Sequence, residues 1–506
     1  MGINDNGIYG SLKGNSTTGG IYKMGDHNTG YGEKNNQNNN NKSGGKTIVN
    51  GVIVNSNQQK LKGDENEFDH SQDDNADEFN KFPKKVKYND LLYSVLFAIQ
   101  MVLFITMTVI AGTKHPNKKE FVEYSLQGLL IIAISIPLIL AFFLIWKKIF
   151  KIHPTNMIKT SFFSLMITGI LFIGLLIGNG WYSWAIVFGI TLISLIFFYF
   201  AFRDKIPFVG IIISLVLKII EKYPSTLLVS FVCLIISCVY YNIWLFSVSY
   251  NFYYDSYWTA WSYMKFMFLV FNLYWTHYVI TYTCYSVVSG LVASWYFFAD
   301  EDFNGMPPKP CAHSLYRSMT SSFGSIAFGS LLVCLVQMVQ FICRGFARVP
   351  GLTSLFCNCL QFIALIFTRM LYTFNIYTFS MVSIYGQSFC NSSKKTYNLM
   401  VNNNEKLFAT HNYMLITMLS VSLSMFLIIG FIVTMIMATI QLENQGWLYV
   451  QLVMFLFILY KPFDIIFSSV LTILMCLISD PNAMEVTKPN TFILLSETYD
   501  FKSLNP

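Results

Sequence analysis

From Asn89 onward the chain alternates long apolar blocks with short polar joints, and the blocks are of membrane-crossing length. A helix rises about 1.5 Å per residue, so about 20 apolar residues span the hydrocarbon of a bilayer. Blocks at 91–112, 124–146, 161–178, 182–202, 225–248, 264–298, 323–342, 355–385, 413–440 and 447–478 predict ten transmembrane helices. The run Pro207–Ile220 is too short to join them. Lys218 and Lys222 close it, which suits a helix lying in the interface. Block 264–298 exceeds one crossing yet leaves no loop for two, so a long, tilted or broken helix is expected there. Blocks 355–385 and 447–478 are also overlong and are expected to project at their inner ends.

The first 82 residues read differently. An Asn run and scattered Gly precede an acidic stretch at 64–78, with too little apolar surface to offset the entropy of ordering, so a disordered cytosolic tail is expected. Three regions follow: the tail at 1–82, a transmembrane domain at 88–480 and a short cytosolic tail at 481–506. No apolar signal-peptide core opens the chain, and insertion falls to the first span.

Composition supports an all-α polytopic membrane protein. Charged residues make up 12% of the chain against about 25% in soluble domains, and mean hydropathy is +0.47. The net charge of +7 comes from lysines flanking the spans, so it implies no nucleic-acid partner. Lys and Arg are in excess on the loops that an N-terminus in the cytosol would place inside, including Lys147, Lys148, Arg203, Lys394 and Lys395. Ten spans then return the C-terminus to the cytosol, and the sequons at Asn15 and Asn391 face the cytosol unglycosylated. Cys233, Cys238, Cys284, Cys334 and Cys476 fall inside spans as small hydrophobes; Cys343, Cys357 and Cys359 gather at one loop, as a disulfide or as free thiols. No phosphate-binding loop, metal-ligand cluster or catalytic carboxylate pair is present, so neither an enzyme nor a cofactor is expected.

Ser325 and Gly329, flanked by Gly324, Ala327 and Ser330, give the 323–342 span a face that admits a neighbouring helix closely; Gly174 and Gly178 do the same in the third span. Between Tyr250 and Tyr296 aromatic residues are dense. Tyr253–Tyr263 suits a headgroup-level belt. Trp275, Tyr278, Tyr282 and Tyr285 recur on one helical face. Aromatic faces attract cations, so this stripe is either helix packing or a site for an organic cation. His277, on the same helix, is either a packed neutral ring or a proton-coupling group, and Arg369 is either buried or snorkelling. Lys461-Pro462-x-Asp464 interrupts the last span. Counted inward from Trp447 it falls at the inner interface, as an anchor or a gate, with i, i+3 spacing for self-neutralisation and Pro462 as a bend.

Three blocks carry a resemblance. NGMPPKPCAHSLYRSMTSSFGSIAFGSLLVCLVQMVQ from Asn304, YWTHYVITYTCYSVVSGLVASWYF from Tyr274 and FNIYTFSMVSIYGQSFCNSSKKTYNL from Phe374 resemble the signatures of the choline transporter-like family, nearest its fungal and protist branch. The resemblance extends over about residues 88–480. It implies a ten-helix transporter, by default in the plasma membrane, with an endosomal or vacuolar home open. Many members place a carboxylate where this chain has Tyr278, a departure that removes one counter-ion for a cation. The expected function is transport of choline or a related amine by alternating access. Trp275, Tyr278, Tyr282 and Tyr285 would bind the cation, His277 would couple protons, and Gly290, Gly386 and Pro462 would act as hinges or gates. The competing classes are a transporter of another solute and a membrane scaffold that recruits partners through residues 1–82.

Overall fold

The computed structural model describes residues 88–498 except 115–117, 179, 181, 253–258, 347–351, 403 and 441–460. The expected N-terminal tail, most of the aromatic belt and the first half of the tenth span lie outside the described residues. Those that are described are almost entirely helical: α1 (Leu91–Lys114), α2 (Lys118–Ile152), α3 (Pro154–Gly178), α4 (Tyr182–Phe202), α5 (Ile206–Lys222), α6 (Ser225–Phe252), α7 (Ala260–Phe298), α8 (Pro310–Met319), α9 (Phe323–Phe346), α10 (Leu352–Tyr385), α11 (Phe389–Asn402) and α12 (Asn404–Ile440). Lys461–Ser479 forms α13, and two short helices, α14 (Pro481–Thr487) and α15 (Pro489–Thr498), close the chain. Each of the ten expected spans falls on a helix, the last from Lys461. Among the described residues six helices are long and apolar enough to cross a membrane, or seven if the bent pair α13–α14 counts as one span.

Prolines punctuate the bundle. Pro154, Pro310, Pro481 and Pro489 each open a helix, where the missing N–H costs nothing. Block 264–298 is one unbroken helix, α7, enclosed by α6, α8, α9, α10 and α13. From Thr281 to Ala293 every residue of α7 is buried, and several are Ser, Thr, Gly or Ala, which lets its neighbours come close. At the periphery, Val95, Ile99 and Val102 of α1 and Ile186, Ile190 and Ile193 of α4 present apolar side chains outward, as lipid contact requires.

The expected interfacial helix α5 is instead enclosed by protein. Only Pro207, Lys218, Glu221 and Lys222 are exposed, while Phe208, Val209, Ile212, Ile213 and Val216 pack between α3 and α13. A helix apolar nearly all round must be covered on every side. Gly210 permits the contact with α3, because an added Cβ would sit 2.9 Å from Thr155 Oγ1.

Both ends of the helical domain lie on one face, called here the terminal face. Asn89 donates from its backbone to Ser321 O (3.1 Å) and from its side chain to Gly386 O (2.9 Å). Asp90 accepts from Ser325 Oγ at 2.6 Å and from Phe389 N at 3.0 Å. Gly324 makes this docking feasible, since a Cβ there would stand 2.3 Å from Asp90 O. At the other end of the chain, Glu301 accepts from Asn490 N and Thr491 N and so caps the start of α15. Cys343, Cys357 and Cys359 are free thiols.

Lys488 ties the C-terminal helices to α7. Its ammonium donates to Tyr296 O (3.0 Å) and Ala299 O (2.7 Å) and lies 4.7 Å over the Trp295 ring, with Asp300 and Glu301 as the nearby carboxylates. Burial lowers its pKa from 10.5 to about 8. Below about 8 both the docked and the undocked lysine are charged and the burial cost is felt in full; between about 8 and 10.5 only the undocked one keeps its proton. Docking therefore tightens as pH rises through that window. The protection factor of amides at the end of α7, corrected for the base-catalysed intrinsic rate, should rise across it in the native chain and lose this dependence in Lys488→Met. Protection that falls with rising pH would contradict the assignment.

Candidate functional site

The middle of α7 faces α6, α10 and α13, and the polar side chains of the bundle concentrate there. Tyr278, Tyr282 and Tyr285 form a row: the first two rings stack at 5.8 Å with 19° between planes, and Tyr285 follows at 6.0 Å. From α10, Phe379 packs on Tyr282 at 4.4 Å and Tyr372 at 6.4 Å. The Tyr282 hydroxyl is buried, with the Asn375 side chain of α10 beside it. Tyr278 accepts from Gln337 of α9 at 3.3 Å.

Trp275 does not belong to this row, although helical spacing puts it on the same side. Its indole N–H donates to Ala327 O of α9 at 3.1 Å, and its ring packs against Phe97 and Phe271 in a separate apolar cluster. It fastens α7 to α1 and α9. His277 faces the other way, with Nδ1 2.5 Å from the Tyr241 hydroxyl of α6.

The expected position of Lys461 and Asp464 needs correction. Both are buried, 1% and 7% exposed, at the level of the tyrosine row. Lys461 donates to Thr281 Oγ1, and Asp464 accepts from the Tyr285 hydroxyl at 3.1 Å. Eighteen residues separate Lys461 from Ser479, so the pair lies about 27 Å along α13 from its end at the terminal face. Counting inward from Trp447 fails because it presumes one uniform crossing. Lys461 and Asp464 make no direct ion pair, yet each lies within the other's field, and each is held by a hydroxyl one turn apart on α7. The backbone at Pro462 is helical.

Between this level and the terminal face runs a seam of hydroxyls. Ser289 meets Ser468 at 3.1 Å and accepts from Thr472 at 2.9 Å; Thr472 also meets Ser380 at 3.3 Å. Ser286 contacts both Ser318 (2.9 Å) and Ser383 (2.8 Å). Arg317 closes the seam by donating to Ser383 O at 2.6 Å.

The two candidate hinge glycines differ. Gly386, at φ +64°, ends α10 in the left-handed conformation and turns the chain into α11. Gly290 lies within unbroken helix and admits α8, since a Cβ would stand 2.2 Å from Ser314 Oγ. Sequence reasoning did not foresee Tyr241, Tyr372, Phe379 or the hydroxyl seam. Lys461 and Asp464 carried a readable signal, two opposite charges inside an apolar run, but their depth needed the fold.

A family profile described as plasma-membrane choline transporter matches residues 186–482, more than half of the chain. A CTL-like protein of Dictyostelium discoideum is 28% identical over 82% of this chain and 76% of its own length. Protein PNS1 of Candida albicans is 26% identical over 81% of this chain and 86% of its own. Protein PNS1 of Debaryomyces hansenii is 24% identical, covering 82% and 88%.

Removing one member of a buried charge pair costs about 3–5 kcal/mol because the other is left uncompensated, whereas replacing both by apolar groups is often near neutral. Lys461→Met and Asp464→Leu should each lower the melting temperature of the purified protein more than the double variant does. Additive losses would show that the two charges do not balance each other.

Proposed function

We propose that this chain, which belongs to the choline transporter-like family, carries a small organic cation, choline or a related amine, across its membrane by alternating access. The observation that carries this reading is the buried Asp464 carboxylate, hydrogen-bonded to Tyr285 at the edge of the row Tyr278–Tyr282–Tyr285. A quaternary ammonium donates no hydrogen bonds. It is held by aromatic faces, at about 0.5–2 kcal/mol each, together with a nearby negative charge. Tyr278 occupies a position where the family resemblance leads one to expect a carboxylate, and Asp464 supplies that charge from α13 instead. Trp275 is reassigned to packing.

Lys461 is the resident cation of the empty site. When substrate brings its own positive charge, the balance around Asp464 changes, and the hydroxyls that bind α13 to α7 become easier to exchange. The seam suits an inner route that opens and shuts. Each hydroxyl contact replaced by water costs about 1 kcal/mol or less, so parting α13 from α7 and α10 is inexpensive and leaves a wet path to the terminal face. Gly386 supplies the bend at the end of α10, and Gly290 the close contact along which α8 shifts. His277, paired with Tyr241, is the proton-coupling candidate. The plasma membrane is the default site of action.

Uptake of labelled choline, with ethanolamine as competitor, tests the reading in cells lacking or overproducing the protein. Uptake should follow expression and saturate. Asp464→Asn should raise the half-saturation concentration by about tenfold or more, equivalent to about 1.4 kcal/mol, with Tyr282→Leu next and Trp275→Phe least. Surface-expressed protein that adds no uptake of either amine would overturn the substrate assignment, and an unchanged half-saturation in Asp464→Asn would overturn the site.

A further inference from the structure

We propose that α14 and α15 form an autoinhibitory latch: docked across the end of α7, they hold α7 and α13 together at the terminal face, and the hydroxyl seam opens only when they let go. Latching presupposes the parting of α13 from α7 proposed above. The chain leaves α13 at Asp480 through a 99° bend, and the seven residues of α14 then carry it about 10 Å toward the end of α7. The two long helices also meet directly, where the Tyr296 hydroxyl donates to Asp480 O at 2.9 Å.

Past α14 the contacts are with the end of α7 itself. Lys488 is 0% exposed, and its three N–H groups donate to Tyr296 O, Ala299 O and Thr487 Oγ1. Two of these acceptors are carbonyls of the last turn and cap of α7, which the helix itself leaves open, so the ammonium acts as a C-terminal cap. Glu301, two residues further on, accepts from Asn490 N at 2.7 Å, from Thr491 N at 3.2 Å and from Asn490 Nδ2 at 2.6 Å. Beyond it α15 packs on α5, with Leu495 wholly buried.

One segment therefore braces three helices: α13 through the chain, α7 through Lys488 and Glu301, and α5 through α15. While both ends of the brace are held, α13 cannot swing away from α7 at this face. The brace is also built to release. A buried cation that bonds no carboxylate directly keeps a large part of its desolvation cost. The Glu301 contacts with Asn490 lie at an exposed edge, where water competes for the same groups.

A cysteine in the seam reads the latch without any substrate. The reporter is Ser289→Cys in a full-length chain otherwise free of cysteine, in vesicles with the terminal face outward. Glu301→Ala should speed its labelling by a membrane-impermeant maleimide about fivefold, the effect of losing one helix cap. Adding Glu301→Cys and Asn490→Cys should do the reverse: once oxidised to a disulfide, the pair should nearly abolish labelling, and reductant should restore it. Labelling that ignores the disulfide, or that Glu301→Ala leaves unchanged or slows, would overturn the latch. Uptake is a separate readout. A seam that obeys the latch in protein that carries neither choline nor ethanolamine would overturn the substrate reading and leave the latch standing.

Discussion

Two opposite charges on α13, buried at mid-bundle and held one turn apart on α7, set the terms for the rest of the molecule. In hydrocarbon a bare charge is too costly to keep, so Lys461 and Asp464 oblige α7 to present hydroxyls at Thr281 and Tyr285. That requirement extends outward. Polar groups on a helix buried all round must be satisfied by its neighbours, and α6, α8, α10 and α13 answer α7 with Tyr241, Ser318, Ser383, Ser468 and Thr472. Small side chains at these positions also bring the helices close enough for the hydroxyls to meet.

Polarity in this core is graded. At the charged level lie the tyrosine ring faces and the Asp464 carboxylate proposed to hold a cation. Toward the terminal face, neutral hydroxyls take over, each making weak and exchangeable contacts. The ends of α7, α10 and α13 are then tied by side-chain contacts: Asn89 on Gly386 O, Tyr385 with Ser479, Tyr296 with Asp480 O and Lys488 over Trp295.

Span positions were legible in the sequence because hydropathy over about 20 residues reports burial in lipid directly. The same signal misplaced α5. Hydropathy cannot distinguish an apolar helix covered by protein from one resting on the interface, and only the packing of Phe208 and Val216 between α3 and α13 decides it. The aromatic stripe was partly legible. Helical spacing grouped Trp275 with three tyrosines, but its indole reaches Ala327 of α9 while Tyr282, only about 20° away around the helix, meets α10. The Gly386 bend was readable because a left-handed residue favours glycine. The depth of Lys461 was not, since position along a membrane normal is set by which residue of α7 each residue of α13 meets.

Cys284 offers the most direct test of whether this core opens. It is buried in α7 between Thr281 and Tyr285, beside Cys233 of α6 and near Lys461. In a variant that keeps Cys284 as its only cysteine, labelling by a membrane-impermeant thiol reagent should occur, and saturating choline should change its rate by several-fold. Reagent applied to the terminal face and to the opposite face should respond in opposite directions. Labelling that is absent from both faces, or indifferent to choline and ethanolamine alike, would contradict an alternating cation site between α7 and α13.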